Sequence, residues 1–349
     1  MRDIPKMEQA FLRGDFDMLR IRLPTTWYDK LDPQKVEEVK DGYVHRTQFY
    51  NDVPRPTWAL YINQTKPLLD NIDVRIGLNY ATNWEIVISE YFRGDYTRMR
   101  TSSDGYGRFT HPTLEPRAFS IKNAEEAFAR AGFTERGADG IFKNSSGQRL
   151  SFTLTTPYRR LEEVVTILER EGRKAGVEFK LEVLDLTAGW KKVQEKKHEI
   201  VLGALSVSVE PYPRYHDHFH SYNAFKEDGS LKPNTNNFTV TADPSYDELI
   251  EKYDKSQDLD EILKIAHELE QKIYDDGAYI PGYVRPFLRC AYWRWIKWPE
   301  GFNPRQATEH DEYHTYWIDE DLKKDTLAAK KSGKTFEETT LVFDQHKKN

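Results

Sequence analysis

The sequence predicts an α/β fold, and three stretches carry that expectation. Leu150, Phe152 and Leu154 alternate as a strand does, with one face apolar. Tyr158 to Ala175 follows with helical spacing, placing Leu161, Val164, Val165 and Leu168 on one side and Gly176 as its stop. Val177, Phe179, Leu181 and Val183 then alternate again, which completes a βαβ unit.

The flanking segments extend the pattern. Residues 45–63 read as two extended segments, with Trp58, Leu60 and Ile62 sharing a face. Thr82-Asn83-Trp84-Glu85 has the form of a capping box opening a helix whose apolar face is Ile88, Tyr91 and Phe92. Residues 100–120 are rich in Gly, Ser, Thr and Pro and read as a long loop. Ala124 to Ala131 is a short helix closed by Gly132. Trp190 falls on another short helix. The run from Ile200 to Val209 lacks alternation, as a strand covered on both faces does. Asp243-Pro244 and Asp258 open two more helices, the second with Ile262, Ile265, Ala266, Leu269 and Ile273 as its stripe. Tyr279 to Trp298 is an aromatic strand region, and the charged tail beyond Lys323 is expected to be peripheral.

Composition narrows the function. Lys+Arg number 51 against 57 Asp+Glu, a formal net charge of -6, so no basic footprint for nucleic acid is present. The single cysteine, Cys290, excludes an internal disulfide and any cysteine-built zinc or iron–sulfur centre. The longest apolar run, Ile200 to Val209, is too short to span a bilayer, and the opening residues lack a signal-peptide core. Phe11 to Asp17 reads as the middle of a fold, which suggests a chain whose beginning lies elsewhere.

Catalytic signatures are missing: there is no GxSxG elbow, Walker A loop, HExxH or GxGxxG. Glu125-Glu126 and Glu162-Glu163 sit at adjacent helical positions and point apart, as solvated pairs do. No catalytic residue and no cofactor is therefore assigned. Two clusters stay open. If Tyr215 to His220 is extended, His216, His218 and His220 share a face and could hold a divalent metal; otherwise they are unlinked loop histidines. Tyr292, Trp293, Trp295 and Trp298 suit either a stacking platform for sugar or peptide, or one sheet face against a core.

The stretch Asn63-Gln64-Thr65-Lys66-Pro67-Leu68-Leu69-Asp70-Asn71-Ile72-Asp73-Val74-Arg75-Ile76-Gly77-Leu78-Asn79-Tyr80-Ala81 resembles the signature of the family 5 extracellular solute-binding proteins, the dipeptide and oligopeptide receptors of ABC importers. It departs from that pattern at Leu68 (family Pro), Asp73 (often Arg) and Gly77 (usually Ala). Later pieces keep the family's order: Asn123 to Phe133, the βαβ unit from Leu150 to Leu186, Glu210-Pro211 through Phe219-His220-Ser221, and Ala278 to Tyr283.

The resemblance implies a class II periplasmic-binding-protein-like fold, a mixed sheet flanked by helices, with one complete lobe and part of a second. Residues 1–44 would be a remnant of lobe I, 45–283 lobe II, and 284–349 the return to lobe I. It implies a non-enzymatic, monomeric capture subunit for peptides or related small solutes. The permease subunits of an ABC transporter would be its partners, and its place would be periplasmic or extracellular and lipid-anchored. Metal or oligosaccharide binders of the same family, and a carbohydrate hydrolase, are the alternatives. The ligand-facing strand would be Gly203, Ala204, Leu205, Ser206, Val207 and Ser208, with Trp190 lining the pocket ahead of it. Many oligopeptide binders carry an Asp on this strand for the ligand's amino group. Val207 or Ser208 stands there, which implies a ligand anchored otherwise. Arg98, ahead of the long loop, could face an anionic group.

Overall fold

A computed structural model describes residues 4–205, 212–302, 305 and 315–347. The chain divides into two compact units, one of Met1–Val53 with Arg285–Asn349 and one of Pro54–Val284. The first boundary falls nine residues later than expected from sequence, because strand Val44–Phe49 pairs with Leu288–Trp293 and so belongs to the first unit. Among the described residues no helix is long and apolar enough to cross a membrane.

The Pro54–Val284 unit is built on a mixed six-stranded sheet. Its strands run, edge to edge, Thr97–Arg98, Tyr279–Val284, Thr57–Ile62, Ile200–Leu205, Ser151–Thr156 and Glu178–Val183. The last two form the βαβ unit that the alternation predicts. They pair in parallel from Ser151↔Glu178 to Thr156↔Val183, and helix Glu162–Lys174 links them. Asp185 caps the helix Leu186–Gln194 by accepting from the Thr187 and Ala188 amides. Asp243 and Asp258 cap helices Pro244–Lys255 and Leu259–Asp276, as the sequence suggests. One cap differs. Asn83 accepts the Ile86 amide, while the Thr82 hydroxyl donates to the Asn79 carbonyl, so the helix opens one residue later. The core joins Ala59, Tyr61, Val201 and Leu205 of the sheet to Ile250, Leu269 and Ile273 of the two long helices.

The residues of the Asn63–Ala81 signature hold scaffold together. Asn63 Nδ2 donates to the carbonyls of Lys196 and His198, at 3.0 Å each. Arg75 donates to the Leu69 and Asp70 carbonyls and forms a 2.5 Å ion pair with Asp276. A buried guanidinium with this many partners is a fixed joint. Gly77 is required by its neighbour, since a Cβ there would overlap the Phe128 ring of helix Ile121–Arg130.

The other unit carries a four-stranded sheet in the order Met18–Ile21, Leu288–Trp293, Val44–Phe49 and Thr340–Phe343. Trp293 and Trp295 are buried and stacked 4.7 Å apart, and their indole nitrogens donate to the Phe11 carbonyl and the Asp17 carboxylate. Of the two readings of the tryptophan series, core packing holds for this pair. The tail is not peripheral: helix Glu320–Ser332 buries Thr326 and Ala329, and Thr340–Phe343 pairs in parallel with Val44–Phe49.

Candidate functional site

The parallel strands Ser151–Thr156 and Ile200–Leu205 point their carboxyl ends the same way, and that end is where open α/β sheets gather ligands. The ladder between them covers only Ile200 and Val201, because Pro157 turns the neighbouring chain away. On the other side the ladder with Thr57–Ile62 runs the full length, to Thr57↔Leu205. Among the described residues, Gly203–Leu205 is therefore paired along one edge only, leaving the backbone donors and acceptors of its other edge outside the ladder.

Aromatic side chains surround this edge. Trp190, on helix Leu186–Gln194, lies against Gly203, where a Cβ would sit 3.5 Å from the indole. Trp58 pairs with Ala204 and so projects from the opposite face to Ala59 and Gly203. Tyr158 spans the two, with its ring 5.1 Å from Trp58 and 6.1 Å from Trp190. Trp58, Tyr158, Trp190 and Ala204 are all half-buried. Tyr283 backs Trp58 in a stack at 5.6 Å and 8°.

Arg160 adds charge. Its guanidinium lies 5.3 Å from the Trp58 ring and 4.5 Å from the Tyr158 ring. Its carbonyl accepts from the Tyr91 hydroxyl, which fixes the backbone. The guanidinium makes no hydrogen bond or ion pair with any described residue. A half-buried guanidinium with unspent donors above two aromatic rings suits a carboxylate or another planar anion.

The structure brings together Trp190, Gly203, Ala204 and Leu205 of the residues expected from sequence. Ser206, Val207 and Ser208 lie outside the described residues. Arg98 is spent elsewhere. Its Nη1 donates to the carbonyls of Pro281 and Gly282, and burial pushes its pKa down to about 10. It staples an edge strand and is not placed to meet a ligand.

The three histidines do not share a face, because Tyr215–Phe219 is a helical turn and not the extended segment that a shared face requires. His216 and His220 stack at 4.4 Å, while His218 is turned away beside Phe219, with its pKa lowered by burial to about 4. His220 Nδ1 accepts the Tyr222 amide at 3.1 Å. Among the described residues no group of three histidine, cysteine or carboxylate side chains is arranged to hold a metal.

Trp58, Tyr158 and Arg160 were not marked by sequence reasoning. Trp58 reads there only as one member of a strand face. The signal for the other two was positional: Pro157-Tyr158-Arg159-Arg160 directly follows the strand of the βαβ unit.

The mixed sheet flanked by helices defines a binding-protein fold of class II, and the comparisons with known proteins agree. The chain belongs to the bacterial extracellular solute-binding proteins, family 5: residues 2–226 match the middle region of that family. It is similar to the oligopeptide-binding protein AppA of Bacillus subtilis, solved with a nonapeptide. That match has a TM-score of 0.73 and 19% identity, over 91% of this chain and 59% of that one. It is also similar to NikZ of Campylobacter jejuni, solved with Ni(L-His), with a TM-score of 0.68 and 18% identity, over 85% and 56% of the two chains. A Thermotoga maritima oligopeptide transporter protein solved with mannohexaose matches with a TM-score of 0.67 and 18% identity, over 87% and 57%. A Brucella melitensis protein, provisionally named a binding protein, is 21% identical over 84% of this chain. The chain spans about half the length of that curated relative, 51%.

Proposed function

We propose that this chain is the solute-capturing portion of an ABC-importer receptor and takes peptides or related solutes that present a carboxylate. The observation that carries this reading is the single-sided edge of Gly203–Leu205, ringed by Trp58, Tyr158, Trp190 and the unspent guanidinium of Arg160. An extended peptide can add to such an edge through backbone hydrogen bonds, with its side chains against aromatic rings. Arg160 then serves as the anchor for a carboxylate, in place of the absent acid that would hold an amine. Among the described residues no catalytic constellation accompanies the site, and the chain is read as a binder and not as an enzyme. Transporter permease subunits as partners, a monomeric state and a place outside the cytoplasmic membrane belong to the same proposal. So does the reading of the Pro54–Val284 unit as a whole lobe and of the other unit as part of a second.

The aromatic ring of the site also supports a second reading, an oligosaccharide stacked on Trp58 and Trp190. Calorimetric titration with a peptide carrying a free carboxyl terminus, its amidated form and mannohexaose separates the two. The peptide reading expects amidation to weaken binding about tenfold or more, the order of a charge-assisted hydrogen bond. In Arg160→Gln the two peptides should bind alike. Equal binding of both peptides by the unaltered chain overturns the carboxylate anchor. Binding of mannohexaose alone favours the sugar.

A further inference from the structure

Trp190 is backed by Phe238, whose ring lies 5.4 Å from the indole and 5.5 Å from the Tyr61 ring. Phe238 belongs to a stretch, residues 235–241, that forms no helix or strand. Such a stretch needs side chains to satisfy its backbone. Two come from the turn that ends helix Leu186–Gln194. His198 Nε2 meets the Phe238 carbonyl at 2.9 Å. Lys196 Nζ donates to the carbonyls of Thr235 and Asn237 at 2.9 Å each, and lies 5.5 Å from the Phe238 ring centre. Asn237 closes the stretch on itself through the Thr241 carbonyl and amide.

Lys196 is an unusual residue to find there. Its side chain is fully buried, and its backbone is left-handed at φ 56°. Among the described residues no carboxylate faces it. Glu195 is taken by Lys197 at 2.7 Å, and Glu199 accepts the Thr153 amide. The titratable groups around the turn are His198 and, further out, the cations Lys66 and Lys192. A buried ammonium without a counter-charge is costly, and a fold retains one where its hydrogen bonds have no substitute.

We propose that Lys196 is a positioning residue for the solute site: its buried ammonium clamps the 235–238 backbone and thereby wedges Phe238 behind Trp190. The inference rests on the reading of Trp190 as part of the ligand platform. Burial lowers the Lys196 pKa to about 8, so the clamp loses its charge in the mildly alkaline range. The sign separates positioning from stability. The folded amine gives up its proton more readily than the unfolded one. Fold stability therefore rises as pH passes from about 8 toward the ordinary lysine value, while the hold on the two carbonyls weakens. Solute affinity and thermal midpoint should move in opposite directions over that window, which a merely structural lysine would not produce.

The test uses the full chain labelled with 5-fluorotryptophan, with Trp190→Phe assigning the Trp190 signal. Between pH 6 and 10 that signal should shift with a midpoint near 8, and affinity for a free-carboxylate peptide should fall severalfold. In Lys196→Met the signal should be displaced and indifferent to pH. Lys192→Gln should leave the titration intact, and it decides the matter with the unaltered chain if Lys196→Met does not fold. A flat Trp190 signal, or the same midpoint in Lys196→Met, overturns the inference. A signal that follows pH but ignores saturating peptide and mannohexaose overturns the reading of the site and leaves the clamp standing.

Discussion

The outer edge of the Trp190 indole lies so close to Gly203 that a Cβ there would meet its Cη2 at 3.5 Å, an ordinary van der Waals distance. Space for one methyl exists, and space for more does not. Gly203→Ala should keep or slightly raise the thermal midpoint, since alanine loses less chain entropy on folding, on the order of 0.5–1 kcal/mol. Gly203→Leu should push Trp190 aside and, on the proposed reading of the site, cut solute affinity about tenfold or more while circular dichroism stays native. Equal affinity in both variants would show that Trp190 does not touch solute.

Gly77 gives the second prediction. The family pattern favours alanine there, yet the Phe128 ring fills the place of its methyl. Gly77→Ala should destabilise by about 1–3 kcal/mol, as overpacking does, despite alanine's better helix propensity. Phe128→Leu should recover much of that loss in the double variant, measured as a coupling in denaturant unfolding.

Glu270 sets a pH dependence. Its buried carboxyl accepts from the Ser102 hydroxyl and, at 3.4 Å, from the Ser103 amide, and burial raises its pKa above the usual carboxylate range. The folded acid holds its proton more tightly than the unfolded one. Its contribution is present at acidic pH and is lost as pH rises through the folded pKa. Glu270→Gln should raise the thermal midpoint at pH 8 by a few degrees, and the gain should vanish near pH 4. A gain of equal size at both values would remove the carboxyl from the account.

Gly189 holds the platform's helix against the strand end. A Cβ would stand 2.5 Å from Pro157 Cβ and 2.8 Å from its Cα. Gly189→Val should cost about 1–3 kcal/mol and shift the Trp190 emission, since the helix must slide to make room. An unchanged emission spectrum would mean that the helix absorbs the clash without moving Trp190.

Local pattern made part of this legible. The strand, helix and strand from Ser151 to Val183 follow from alternation and apolar spacing, because each element buries one face of its own residues. Aspartate caps such as Asp243 and Asp258 also act within a few residues of themselves. What escaped depends on distant partners. Arg98 looks available until strand Tyr279–Val284 lies beside it, bringing the Pro281 and Gly282 carbonyls from 183 and 184 residues on. The histidine series left two readings open, because its spacing gives a shared face only in an extended segment, and the backbone there turns helically. Trp58 joins the site only through Tyr158 and Arg160, which the chain reaches about a hundred residues later. The charged composition of the tail concealed Thr340–Phe343, a strand whose partner lies near the other end of the chain.

The pairing of Val44–Phe49 with Leu288–Trp293 carries a consequence in time. On the ribosome, the earlier strand emerges and must wait while about 240 further residues are made, roughly 10–50 s at ordinary rates of synthesis. The segment between them can pair four of its six strands during that interval, Thr57–Ile62, Ile200–Leu205, Ser151–Thr156 and Glu178–Val183, while Tyr279–Val284 is made only just before Leu288. Strand Val44–Phe49 meanwhile lacks Leu288–Trp293 and Thr340–Phe343, the two strands that pair with it. The newborn chain thus carries an unpaired strand throughout that interval, which is when a holding chaperone would have the most to bind.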